Sequence, residues 1–181
     1  MDLDVVKIKM LSSRNRTLNT PLMLALCEEK VRMFIYLLYS HESYFQSEGL
    51  KCMDVDGNSI LHLAAKCSPE KSLHFAKIIL NFNSGAYRKM MNMRNNEGCT
   101  PLFVAVQNRN GDMVKFMMDS NAMYMPDITI KNKSGETVRE YIERNLQHSF
   151  HPLELNMKQI FSKYHKYENR ILLKAIVGVT N

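Results

Sequence analysis

The sequence predicts an all-α solenoid of about four helix-turn-helix repeats, with a capping helix at each end, and three observations carry the prediction. First, a hydroxyl residue followed by Leu two positions on and then by Ala recurs as Thr20-Pro21-Leu22-Met23-Leu24-Ala25, Ser59-Ile60-Leu61-His62-Leu63-Ala64-Ala65 and Thr100-Pro101-Leu102-Phe103-Val104-Ala105. Second, Asp54-Val55-Asp56-Gly57-Asn58 and Asn95-Asn96-Glu97-Gly98-Cys99 stand before two of these copies as turn sequences. Third, each copy is followed by an apolar run at helical spacing.

The chain divides accordingly into an N-terminal cap over 1–14, repeats over 15–53, 54–93, 94–126 and 127–146, and a helical extension over 147–181. In the cap, Asp2 to Leu11 is a short apolar segment with Lys7 and Lys9. In the second and third repeats an acid or amide followed by Gly makes a turn, because Gly tolerates the positive φ that such turns need. The hydroxyl then caps a helix, and Pro fits the first helical position, whose N–H has no intrahelical partner. The second helices are expected at Val31 to Leu38, Leu73 to Leu80 and Met113 to Met118. Gly111-Asp112 lies in the third connecting loop, and Asn121-Ala122 is suited to a left-handed helix stop.

A fourth, degenerate copy runs from Asp127 to Val138, its Ser134-Gly135-Glu136-Thr137 turn leading into Arg139-Glu140-Tyr141-Ile142. The extension resumes a helical pattern after His148-Ser149-Phe150-His151-Pro152. It is expected either to cap the stack or to dock on a partner through Phe161, Tyr164 and Tyr167.

This pattern resembles the ankyrin repeat, with its T-P-L-H-x-A signature, and Ile60-Leu61-His62-Leu63-Ala64-Ala65 is the nearest copy. The hydroxyls at 20, 59, 100 and 137 are 39, 41 and 37 residues apart, longer than the family's ordinary period. The surplus falls at Ser40 to Lys51 and Ser84 to Met93, where surface insertions are tolerated. The resemblance implies a structural, hydrogen-bonding histidine at His62. It also implies partner contacts from turn tips and first helices: Arg16 and Asn19, Asp56 and Asn58, Arg94, Asn96 and Glu97, and Lys131 and Lys133.

The chemistry-bearing residues point away from catalysis. No G-x-S-x-G elbow, Walker loop or dinucleotide fingerprint occurs. Cys27, Cys52, Cys67 and Cys99 fit neither zinc spacing nor a disulfide framework and read as buried free thiols. His148 and His151 are three apart without a flanking acid, so no metal or cofactor is expected. Glu28-Glu29 and Asp54/Asp56 read as solvated turn carboxylates. Met117 and Met118 read as core, whereas Met90, Met91 and Met93 read as core or as an exposed patch.

Twenty-four Lys and Arg against 18 acids give a net charge of +6. They are scattered rather than clustered, so nucleic acid is not the expected partner. The apolar runs are shorter than the roughly 18 to 20 residues of a membrane span, and no leader opens the chain, so a cytoplasmic protein with access to the nucleus is expected. Small arrays of the resembled family include kinase regulators and inhibitors of Rel-type transcription factors. The resemblance therefore implies a non-catalytic binding protein, with a protein kinase subunit as the favoured partner and a Rel-type factor as the alternative.

Overall fold

The computed structural model describes residues 3–119 and 125–145. Ten α-helices follow one another within them: α1 (Leu3–Leu11), α2 (Pro21–Cys27), α3 (Val31–Ser40), α4 (Glu42–Ser47), α5 (Ile60–Lys66), α6 (Pro69–Phe82), α7 (Ser84–Met90), α8 (Pro101–Gln107), α9 (Gly111–Asp119) and α10 (Val138–Asn145). A 3-10 turn covers Gly49–Lys51, and the described residues contain no strand beyond an isolated Met53–Ser59 bridge. The architecture is all-α. The expected helix stop at Asn121-Ala122, the histidine pair at 148 and 151, and the extension over 147–181 lie outside the described residues.

Every repeat starts with a hydroxyl cap. Thr20 Oγ1 accepts the N–H of Met23 and Thr100 Oγ1 that of Phe103, both at 3.3 Å. At the fourth repeat Thr137 and Glu140 close a reciprocal capping box, with the Thr137 N–H donating to Glu140 Oε2 at 2.7 Å and the Glu140 N–H to Thr137 Oγ1 at 3.2 Å. The Thr137 N–H, together with the Thr137 hydroxyl, which also donates to Oε2 at 3.0 Å, holds the Glu140 carboxyl below its usual range.

The first helices α2, α5, α8 and α10 form an inner row and the second helices α3, α6 and α9 an outer row. Short inner helices with Ala at the contact let neighbours approach closely. Ala64, Ala65 and Ala105 are fully buried between them. Aromatic pairs join neighbouring repeats within each row: Phe34 and Phe75 of the outer row at 5.0 Å, and Phe103 and Tyr141 of the inner row at 5.1 Å between ring centres.

The turn from inner to outer helix uses a left-handed residue without Gly: Glu29 and Arg109 both have φ of 54°. Glu29 is more than a solvated turn residue. Its Oε1 accepts the Ser68 N–H at 2.7 Å and its Oε2 the Ser68 hydroxyl at 2.9 Å, which ties the first repeat to the start of α6 and lowers the Glu29 carboxyl below its usual range.

The two insertions fold into helices rather than loops. Phe45 and Leu50 of the first and Tyr87, Met90 and Met91 of the second are buried. Asn83 Nδ2 donates to the Gln46 carbonyl across them at 3.2 Å. The exposed methionine patch expected as one alternative at Met90 and Met91 is therefore corrected: these side chains fill the third layer that α4 and α7 add, and Met93 is half-buried. Cys27 is also corrected, since it is exposed, whereas Cys99 is buried and Cys52 and Cys67 are half-buried.

Candidate partner-binding face

Four turns project before the inner helices as fingers, and all four close by the same main-chain bonds. In the second, the Asp54 N–H donates to the Asn58 carbonyl and the Gly57 N–H to the Asp54 carbonyl. Asp54 Oδ1 takes the N–H groups of Asp56 and Asn58 at 3.0 and 2.7 Å. Asn95 repeats this arrangement with Glu97 and Cys99, and Asn132 with Glu136. Asn15 does so with Thr17 and Asn19. The side-chain oxygen thus mimics a backbone acceptor and fixes each loop before any tertiary contact forms.

One position in each finger is left-handed. Gly57, Gly98 and Gly135 have φ of 73°, 74° and 78°, and in the first finger the same place is held by Leu18 at 59°. The first finger therefore lacks the Gly that marks the others in the sequence. Asn15, 39 residues before Asp54, is the signal that locates it.

The fingers are also joined to one another. The Val55 N–H donates to the Thr17 carbonyl at 3.0 Å, the Asn96 N–H to the Asp56 carbonyl at 2.8 Å, and the Lys133 N–H to the Glu97 carbonyl at 2.9 Å. One main-chain bond per step fixes the relative position of successive tips.

This geometry sorts the expected contact residues. Arg16, Asp56, Glu97 and Lys133 are exposed at successive tips, and Arg94 and Lys131 are exposed on the finger flanks. The Arg94 Nε donates to its own finger's Gly98 carbonyl at 3.3 Å. Along the tips the charges run positive, negative, negative, positive.

Three amides are placed otherwise. Asn58 is fully buried, with its Nδ2 donating to Asp54 Oδ2 and its Oδ1 accepting from Asn95 Nδ2 at 2.9 Å, so it links fingers instead of facing outward. Asn96, though exposed, donates its Nδ2 to the Val55 carbonyl at 3.0 Å. Asn19 is half-buried, its Nδ2 donating to Thr17 Oγ1 at 2.8 Å. Amides in tight turns satisfy local backbone first, which turns them away from a partner.

His62 sits beneath this row. Its Nδ1 accepts the Ser59 N–H at 3.1 Å and lies 2.8 Å from the Ser59 hydroxyl, while its Nε2 faces the Cys99 carbonyl at 2.9 Å. The acceptor carbonyl assigns the proton to Nε2. Burial outweighs the favourable Cys99 carbonyl and lowers the imidazole from 6.5 to about 4, so it is neutral at physiological pH. Both ring nitrogens are engaged, which leaves none for a substrate.

Three of the thiols are likewise unactivated. Burial raises Cys99, and Cys67 to about 12, while partial desolvation beside the Asp54 carboxylate raises Cys27, which suppresses the thiolate in each. Among the described residues no three His, Cys, Asp or Glu side chains gather as metal ligands, and no helix is long and apolar enough to cross a membrane.

Comparison with known proteins agrees with this anatomy. No curated protein matches the chain. The signature of ankyrin repeats (3 copies) matches residues 22–132, which contain the second and third fingers, the buried His62 network and the paired helix rows. Proteins of this type are typically non-catalytic scaffolds whose repeats mediate protein–protein binding. With that signature covering more than half of its length, the chain belongs to the ankyrin repeat family and is a protein-binding scaffold.

Proposed function

We propose that the chain is a non-catalytic regulatory subunit that binds a protein kinase of the cell-cycle type through its finger row, in the cytoplasm with access to the nucleus. The observation that carries the reading is the row of exposed tip charges, Arg16, Asp56, Glu97 and Lys133, held in register by finger-to-finger main-chain bonds. A preformed charged row orders few side chains on binding and selects a partner by complementarity of charge. In size, repeat number and irregular spacing the chain is similar to plutonium, a small ankyrin subunit of the PAN GU kinase complex. That likeness rests on no diagnostic motif, but it puts a kinase first.

A second reading is an inhibitor of the inhibitor-of-kappa-B type that binds a Rel-family transcription factor. Asp56 and Glu97 at the two central tips favour it, since adjacent acids suit a basic nuclear-localisation segment. The net charge of +6 weighs against it.

Affinity purification of the tagged chain from its native cells, followed by mass spectrometry, separates the two. Recovery of a kinase that is lost with Asp56→Lys/Glu97→Lys supports the first reading. Recovery of a Rel factor supports the second, and recovery of a kinase insensitive to all four tip reversals would refute the finger row as the contact.

A further inference from the structure

Each finger tip holds two consecutive residues. The first is Arg16, Val55, Asn96 or Lys133, and the second is Thr17, Asp56, Glu97 or Ser134. In the first three fingers the second place is the same in its backbone bonds. The N–H of Thr17, Asp56 and Glu97 donates at 3.0 Å to the side-chain oxygen of Asn15, Asp54 and Asn95, and the carbonyl accepts from the next finger. Gly135 follows Ser134 with φ of 78°, as Gly57 and Gly98 follow Asp56 and Glu97, which sets Ser134 in that place too. The two central fingers therefore carry a carboxylate where the two terminal ones carry a hydroxyl.

Those hydroxyls come with a charge pattern. Arg14 and Arg16 stand three and one residues before Thr17, and Lys131 and Lys133 three and one residues before Ser134. No other Ser or Thr in the sequence has a basic residue at both places, and Ser12 has only Lys9. All six side chains are exposed. Basic residues ahead of a hydroxyl suit the acidic substrate groove of a protein kinase, because charge patterns of this kind set the choice of substrate. The central fingers give an independent reason: at this place the turn already bears negative charge, at Asp56 and Glu97, with its bonds intact.

We infer that Thr17 and Ser134 are phosphorylated by a protein kinase that selects basic residues before its acceptor, and that the two phosphates turn the finger row anionic from end to end. The hydroxyl oxygen attacks the γ-phosphorus of a nucleoside triphosphate. The new O–P bond replaces that to the β–γ bridging oxygen, the nucleoside diphosphate leaves, and the hydroxyl proton passes to a carboxylate of the kinase. The first finger gives up one bond: Thr17 Oγ1 donates to Asn15 Oδ1 at 2.8 Å, which a phosphoester oxygen cannot do. Asn15 Oδ1 keeps the N–H groups of Thr17 and Asn19, and the Asn19 Nδ2 that donates to Thr17 Oγ1 at 2.8 Å still faces an acceptor.

Each phosphate carries about −1.5 to −2 charges near neutral pH and outweighs the Arg16 or Lys133 beside it. Tips that run positive, negative, negative, positive become negative throughout, and the net charge falls from +6 to about +2 to +3. Such a row attracts a basic segment, with an affinity that falls as salt rises. The acceptor sites are read from the chain's own residues. Only the effect on binding rests on the finger row as the contact surface, which the tip reversals test separately.

The test is incubation of the folded full chain with Mg-ATP and a purified kinase that requires Arg or Lys three residues before its acceptor, with the sites mapped by tandem mass spectrometry. Phosphate is expected at Thr17 and Ser134, and at Ser12 about ten-fold more slowly. Arg14→Ala/Arg16→Ala should slow Thr17 by about ten-fold and spare Ser134, Lys131→Ala/Lys133→Ala should do the reverse, and Arg14→Lys/Arg16→Lys should restore Thr17. Unchanged melting temperatures establish that the variants fold. Thr17→Asp/Ser134→Asp should also keep the native melting temperature. The doubly phosphorylated chain should bind poly-L-lysine about ten-fold more tightly than the unmodified chain, a gain that Asp56→Lys/Glu97→Lys reduces. Absence of phosphate from either residue, or equal rates at hydroxyls without basic neighbours, would overturn the acceptor sites. So would incorporation into synthetic peptides spanning residues 10–20 and 127–137 but not into the folded chain. Unfolding of Thr17→Asp/Ser134→Asp, or an unchanged affinity for poly-L-lysine, would overturn the charge switch.

Discussion

The Nε2 of His62 lies 2.9 Å from the carbonyl oxygen of Cys99, so an imidazole on the second repeat supports the finger of the third. Its other nitrogen closes the α5 cap on Ser59. One side chain thus joins helix initiation to repeat stacking.

His62→Ala removes both bonds, leaves the Ser59 N–H in a buried place and opens a cavity. The expected loss of stability is about 2 to 4 kcal/mol in urea denaturation. The same residue sets a pH dependence. Its folded-state value is about 4, below the unfolded value of about 6.5, so the unfolded chain takes up a proton that the folded chain refuses. The contribution is complete above about pH 6.5 and is lost as pH falls toward 4, a span of roughly 3 kcal/mol. His62→Phe should flatten the stability profile across that window.

Leu18 occupies with φ 59° a place held elsewhere by glycines. A side chain in the left-handed region costs about 1 to 2 kcal/mol, so Leu18→Gly should raise the melting temperature. The converse, Gly57→Ala, sets a Cβ 2.5 Å from Asn96 Oδ1 and 3.0 Å from the Asn96 backbone nitrogen. It should lower stability by about 1 to 3 kcal/mol and weaken partner binding, because it forces two fingers apart.

Tyr87 is fully buried and its hydroxyl has no hydrogen-bond partner among the described residues. Burial also raises its phenol well above the ordinary value. Tyr87→Phe keeps the ring against Phe116, at 6.4 Å between centres, and relieves the unpaired oxygen. It is expected to stabilise the chain by about 1 kcal/mol in thermal denaturation.

Glu29 is held below its usual carboxylate range by the Ser68 N–H and hydroxyl. Its stabilising effect is present above the unfolded carboxylate value and is lost as pH falls through the lowered one. Glu29→Gln should remove part of the acid slope of stability while leaving the profile near neutrality parallel to that of the native chain, as read by urea midpoints at successive pH values.

The repeat starts were legible because caps are local. Thr20, Ser59, Thr100 and Thr137 each announce a helix by a side-chain bond reaching only three residues ahead. The first finger was less so, since Leu18 hides a turn that Gly would have marked. The insert helices were not legible at all. α4 and α7 span six and seven residues, too short for a period to stand out, and they are held by tertiary burial of Phe45 and Tyr87. The tip residues were readable from turn position, yet Asn58 was not separable from them, because its burial depends on Asn95 in the next finger.

The finger row has a further consequence. Successive fingers make the same bond at sequence separations of 38, 40 and 36 residues, so pitch is uncoupled from repeat length. The row acts as a comb whose teeth keep their gauge whatever length of chain is wound behind them. Insertions can grow or shrink in the third layer without retuning the comb, which lets the back of the molecule diversify while the front holds its register.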